Sequence, residues 1–271
     1  MKLGLSSYTY TWAIGVPGSM PEKPLSVREL VDRTSGAGLG LVQIADNLPL
    51  ENLSGEELER LINYADSKNV SIEMGGRGLS PDHTMKCLKC AEKIKSNILR
   101  MVIDTVGFKP DLQTVISIIR ELLPEFRSRN IKLAIENHDR FKSREFEQII
   151  LAADSDMVGI CLDSVNSMGA GEGFEAVFDT LIPYTINFHI KDFTIFRVLH
   201  KMGLTIEGRP AGKGMLNIPE LLAKLTEAGK CRSTILELWT PPEQEIDDTI
   251  KKESLWADES ILYLKTLFKN Q

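Results

Sequence analysis

Short apolar runs alternate with longer amphipathic segments along the whole chain. Eight runs read as strands: KLGLSS (2–7), LGLVQIA (39–45), VSIEMG (70–75), ILRMVID (98–104), KLAIEN (132–137), VGICLD (158–163), TINFHIK (185–191) and STILEL (233–238). Eight helical patterns follow them in alternation. In SVRELVDRTSGAG (26–38), Ser26 is placed to cap the start and Gly36 or Gly38 lies near the end. SGEELERLINYADSKN (54–69) opens on a capping box of Ser54 and Glu57. SPDHTMKCLKCAEKIKS (80–96), DLQTVISIIRELLPEFRSRN (111–130), SREFEQIILAADS (143–155), FEAVFDTLI (174–182), NIPELLAKLTEAGK (217–230) and a last segment ending in DESILYLKTLFKN (258–270) complete the set.

Successive strand starts lie 26 to 37 residues apart except for the last interval, which is 48. A barrel of about 250 residues divides into units of ~31. The excess sits in DFTIFRVLHKMGLTIEGRPAGKGMLN (192–217), which reads as a long functional loop after the seventh strand. Alternating β and α units imply parallel strands, and eight of them close most naturally into one (β/α)₈ TIM barrel spanning residues 1–271 as a single domain. A doubly wound open sheet lacks the GxGxxG turn it would use after strand one.

In such a barrel, chemistry gathers where strands end. Glu136 closes LAIE, Asp163 closes GICLD, His189 stands in INFHIKD and Glu237 closes TILEL, one on each of strands five to eight. A single polar residue of this kind is commonly satisfied by a neighbouring loop. Three carboxylates buried together, however, call for a cation. Oxygen donors with one imidazole suit Mn²⁺ best, with Mg²⁺, Co²⁺, Fe²⁺ or Zn²⁺ as alternatives.

The motifs AIENHDRF, GICLDSVNS, NFHIKDF, GRPAGKGMLNIPELL and ILELW resemble those of the xylose isomerase-like TIM barrels, a superfamily of sugar phosphate isomerases, ketose 3-epimerases and endonuclease IV. The resemblance implies a single-metal site of Glu136, Asp163, His189 and Glu237. In its epimerase branch the two glutamates also act as acid and base on opposite faces of an α-hydroxy ketone, whose enediolate the metal stabilises. The expected activity is therefore a metal-dependent sugar isomerase or epimerase. A dehydratase or lyase acting on a keto-inositol or 3-keto-glycoside is the alternative; a non-catalytic carbohydrate-binding barrel and an AP endonuclease stand further off. The chain departs from the resemblance at Asn166, where both the endonuclease and epimerase branches carry histidine. With only four histidines and a net charge of −6, it is disfavoured for nucleic acid.

Further residues fill in the expected site. His138, two beyond Glu136, and Lys191, two beyond His189, share the inward parity of those residues and are candidates to contact substrate, the alternative for Lys191 being a salt bridge to one of the ligand carboxylates. Trp239 is expected to form an apolar wall beside a sugar ring, opposite Tyr8, Tyr10 and Trp12. Asn166 and Glu73 are further candidate substrate contacts, Gln43 and Glu73 complete the polar wall, and Arg197 or Arg209 could bind an anionic group. Gly208, Gly212 and Gly214 read as the hinges of a lid. CLKC, with Cys87 and Cys90, reads as helix core, since no second cysteine pair completes a zinc site. At 42% hydrophobic and 26% charged residues the composition is globular. No signal peptide or membrane span appears, so a cytoplasmic chain is expected. Its partner is a small carbohydrate, neither nucleic acid nor membrane, and a homo-oligomer is compatible with it.

Overall fold

The computed structural model describes residues 1–138 and 140–268. Asp139 of the AIENHDRF motif, and Lys269 and Asn270 of the expected last helix, lie outside the described residues. The strands in chain order are β1 (Lys2–Ser6), β2 (Leu41–Ile44), β3 (Ser71–Arg77), β4 (Ile98–Val102), β5 (Lys132–Glu136), β6 (Val158–Asp163), β7 (Thr185–Ile190), β8 (Phe193–Arg197), β9 (Leu204–Gly208) and β10 (Ser233–Leu236). All but β8 and β9 pair in parallel and close a barrel in the order β1-β10-β7-β6-β5-β4-β3-β2. Each of the eight expected strands is therefore a barrel strand, and the fold is the expected (β/α)₈ TIM barrel.

The helices are α1 (Thr11–Ile14), α2 (Val27–Gly36), α3 (Gly55–Ser67), α4 (Pro81–Lys93), α5 (Leu112–Arg129), α6 (Ser143–Ala153), α7 (Phe174–Leu181), α8 (Ile218–Ala228) and α9 (Ile246–Phe268). Ser26 and Ser54 cap α2 and α3 as their sequences indicated, each paired reciprocally with the glutamate three residues on. The main apolar core lies between the outer face of the sheet and these helices. Among the described residues, no helix is long and apolar enough to cross a membrane.

Two elements differ from expectation. The segment after β7 contains an antiparallel hairpin of β8 and β9, with Phe193 buried beneath it. It is pinned at its base by Asp192, whose carboxylate accepts the N–H groups of Phe193, Gly212, Gly214 and Leu216 at 2.8 to 3.0 Å. The glycines expected to be lid hinges thus serve close approach: a Cβ on Gly214 would sit 2.2 Å from Asp192 Oδ1, and one on Gly208 1.8 Å from the Trp239 carbonyl oxygen. The second difference is α9, which starts at Ile246, well before the expected segment.

The barrel interior is mostly polar. A small apolar cluster of Ile98, Ala134, Cys161 and Ile186 fills part of it, and Gln43, Glu73, Arg100 and Asn187 are buried as well. A register shift between Ile160 and Cys161 on β6 sets Asp163 opposite His189 of β7.

Candidate metal centre

Glu136, Asp163, His189 and Glu237 meet at the C-terminal end of the barrel, each 0 to 1% exposed. Asp163 is set by the turn that follows it: its Oδ1 accepts the N–H groups of Val165 (2.8 Å) and Asn166 (3.0 Å), leaving Oδ2 to face inward. Asn137 stitches the ends of β5 and β6 together, accepting from the Asp163 N–H at 2.6 Å and donating to the Asp163 carbonyl at 3.0 Å.

His189 is held in one tautomer. Gln43 spends its amide N–H groups on Glu73 Oε2 (3.2 Å) and Asn187 Oδ1 (3.1 Å), so its oxygen is left to accept from His189 Nε2 at 2.7 Å. His189 Nδ1 then points at three carboxylates: Glu237 Oε1 at 3.3 Å, Glu136 Oε2 at 3.6 Å and Asp163 Oδ2 at 3.9 Å. Three anionic oxygens gathered round one ring nitrogen are unfavourable without a positive centre between them. Oxygen and nitrogen donors about 2.1 Å from one ion stand roughly 3 to 3.5 Å apart, close to what is seen here. His189 Nδ1 and Asp163 Oδ2 are also buried without an aligned hydrogen-bond partner. The donor set therefore fits a divalent cation.

Two buried cations complete the electrostatics. Arg100 of β4, 1% exposed, donates its Nε–H to Glu136 Oε2 and reaches Asp46 Oδ1 from Nη1 at 3.2 Å. Lys191 Nζ lies 2.8 Å from Asp163 Oδ2 and 2.9 Å from Glu237 Oε2. Burial alone would lower the Lys191 ammonium, but the carboxylates of Asp163, Glu237 and Glu136 reverse this and hold it charged. Burial pushes Glu73 up, and Asp46 is matched by Arg77 at 2.8 Å. Three carboxylates against Arg100 and Lys191 leave one negative charge, which a divalent cation would turn into one positive charge.

Every oxygen of the two glutamates is engaged. Glu136 Oε1 accepts from Asn166 Nδ2 at 2.7 Å, opposite the Arg100 contact, and Glu237 Oε1 accepts from Ser6 Oγ at 2.8 Å, opposite Lys191. Beside Lys191 a cavity of about 430 Å³ opens between the barrel mouth and the hairpin, lined by Tyr8, Trp12, Ile206, Glu207 and Trp239 among others. Burial, reinforced by Asp46, pushes the Tyr8 phenol up to about 12, so it stays protonated there. A second cavity of about 540 Å³ holds His138 with Arg77, Asp104, Lys109 and Arg140.

Of the expected substrate contacts, Lys191 and Trp239 line the first cavity, Asn166 bridges two of the converging residues, and His138 lines the second. Glu73 sits one step below the centre and reaches it through Gln43. Arg197 is exposed near the hairpin turn, bonded to the Lys201 carbonyl oxygen at 3.2 Å, and is not brought to the site. Arg100 and Ser6 were not anticipated. An arginine inside the apolar run ILRMV was the available signal, because a charge there must face a partner in the barrel.

A family model described as xylose isomerase-like TIM barrel matches residues 31–266. The chain is 31% identical over 266 residues to the 3-oxo-isoapionate decarboxylase of Pectobacterium atrosepticum, covering 98% of this chain and 96% of that protein. Many solved structures resemble its fold. D-psicose 3-epimerase with D-tagatose from Clostridium cellulolyticum H10 has a TM-score of 0.74 at 14% identity, over 99% of each chain. A xylose isomerase-like TIM barrel protein from Mycobacterium smegmatis in complex with magnesium has a TM-score of 0.70 at 15% identity, over 96% of this chain and 97% of that one.

Proposed function

The chain belongs to the xylose isomerase-like TIM barrel family, and from that premise we propose that it is a metal-dependent lyase that releases the carboxylate of a small 3-oxo sugar acid as CO₂. Glu136, Asp163, His189 and Glu237 would hold one divalent ion, Mn²⁺ being favoured by the oxygen-rich donor set. When bound, that ion supplies Lewis-acid stabilisation of the charge that develops on the substrate's oxygens.

The observation that carries the reading is the engagement of both glutamates. An epimerase acting through this pair needs each carboxylate as a free base towards carbon. Here Glu136 is held by Arg100 and Asn166, and Glu237 by Lys191 and Ser6. Decarboxylation needs no base: the bond between the carboxylate carbon and C2 breaks, its electron pair moves through C2 towards the C3 oxygen, and CO₂ departs. What it does need is positive charge for the anion and a proton for C2. Lys191 lines the cavity and supplies the positive charge, and water entering through the open mouth can deliver the proton to C2. The 31% identical relative, named as a decarboxylase of a 3-oxo acid, supports the same reading. Trp12 and Trp239 would pack against the carbon chain of the substrate, and the 430 Å³ cavity suits a molecule of sugar size.

The test is metal-stripped protein reloaded with Mn²⁺, Mg²⁺, Co²⁺ or Zn²⁺ and offered carboxyl-labelled 3-oxo sugar acids. Trapped labelled CO₂ from reloaded but not from stripped protein is expected. Equal release by both would overturn the metal dependence, and no release from any acid would overturn the lyase reading.

A further inference from the structure

The short turn Leu50–Asn52 packs against α4, where Lys86 Nζ donates to Asn52 Oδ1 at 2.8 Å. Glu51, His83 and Cys87 bring one oxygen, one nitrogen and one sulfur within 4.8 Å of one another. His83 and Cys87 are four apart on α4 and so share a face. His83 Nδ1 lies 3.1 Å from the Gly78 carbonyl oxygen, which can only accept, so Nδ1 donates there and Nε2 faces inward. It meets Glu51 Oε1 at 3.4 Å and Cys87 Sγ at 3.5 Å.

These separations match one ion. With zinc bonds of about 2.0 to 2.1 Å to nitrogen and oxygen and about 2.3 Å to sulfur, tetrahedral angles set nitrogen and oxygen roughly 3.4 Å apart, and nitrogen and sulfur roughly 3.6 Å apart. An independent feature points the same way. The Glu51 side chain is 7% exposed, and its second oxygen, Oε2, is buried with no partner among the described residues. A carboxylate is not left unsatisfied in this way unless a partner is missing. His83, with its side chain 32% exposed, leaves a path from solvent and room for a water as fourth donor.

We propose that Glu51, His83 and Cys87 form a second metal site, separate from the barrel centre and suited to Zn²⁺ or another borderline-soft divalent ion. The CLKC motif thus contributes one ligand through Cys87, with His83 and Glu51 standing where a second cysteine pair would be. Binding the ion would require the Cys87 thiol to give up its proton.

The test is anaerobic titration of the full chain with Co²⁺, following the near-ultraviolet thiolate-to-cobalt absorption. Oxygen and nitrogen donors alone do not give this band. Wild type and Glu237→Gln should both show it, Cys87→Ser and His83→Gln should lose it, and added Zn²⁺ should bleach it. His83→Gln changes a partly exposed side chain, so it keeps the test decisive if Cys87→Ser folds poorly. No band in wild type, or a band that survives Cys87→Ser or His83→Gln, would overturn the site; the first surviving case would shift attention to Cys161 in the barrel.

Discussion

Glu253 of α9 ties the C-terminal helix to the wall of the first cavity, and its ionisation gives a stability prediction of definite sign. The residue is 1% exposed, and its carboxylate oxygens accept the N–H groups of Trp12 at 2.9 Å and Ala13 at 3.0 Å. Burial outweighs these bonds and pushes the carboxyl up from 4.5 to about 7. The folded chain therefore holds this proton more tightly than the unfolded chain. The resulting stabilisation is fully present below pH 4.5 and is lost as pH rises through 7. At 1.36 kcal/mol per unit, the loss between pH 5 and pH 8 comes to about 2.5 kcal/mol. Glu253→Gln remains neutral throughout and gives up about 1 kcal/mol for the N–H that its amide leaves unpaired. The variant should match wild type near pH 5 and exceed it by about 2 kcal/mol at pH 8. Urea unfolding of both proteins, followed by circular dichroism with a chelator present, measures this gap, since every other titrating group is common to the two. A gap that does not change with pH would refute the reasoning.

Other perturbations follow from the same contacts. Gln43→Leu frees His189 Nε2 from its acceptor and should weaken Mn²⁺ binding by about 10- to 100-fold in calorimetry; an unchanged affinity would show that the tautomer is set elsewhere. Arg100→Met strands the Glu136 carboxylate in the barrel, and chelator-treated protein should lose about 3 to 5 kcal/mol in urea unfolding; a loss under about 1 kcal/mol contradicts the pairing. Asp192→Ala removes the acceptor of four backbone N–H groups. Amides of residues 212–216 should then exchange with solvent far faster while those of β5 keep their protection, and equal protection in both proteins would count against the anchor.

The barrel was legible because its signal is regular: strand runs at near-constant spacing, with polar residues at the ends of four consecutive strands. The hairpin was not, because its turn around His200 lacks the Asn-Gly or Asp-Gly pair that usually marks one, although Phe193, Ile195, Leu204 and Ile206 alternate as strand residues should. The first half of α9 carries few apolar positions, with Asp247, Asp248, Lys251, Lys252 and Glu253 close together, so its periodicity is faint. Glu253 is buried there by contacts with Trp12 and Ala13, more than 200 residues away in sequence. The converging carboxylates and His189 could be expected from spacing alone, and the parity of Lys191 with His189 allowed its ion pair with them, whereas the engagement of their other oxygens by Arg100, Asn166 and Ser6 depends on side-chain directions that no linear pattern encodes.

As proposed, this site breaks a carbon–carbon bond without using its glutamates as carbon bases. The most direct measurement runs Mn²⁺-loaded protein in D₂O with a panel of carboxyl-labelled 3-oxo sugar acids and, in parallel, with ketoses, following labelled CO₂ and the substrate carbons by NMR. CO₂ should be released with one deuteron taken up at the carbon that lost it, and no ketose stereocentre should invert. Inversion of a ketose, with no CO₂ released from any acid, would contradict this and return Glu136 and Glu237 to the roles of acid and base.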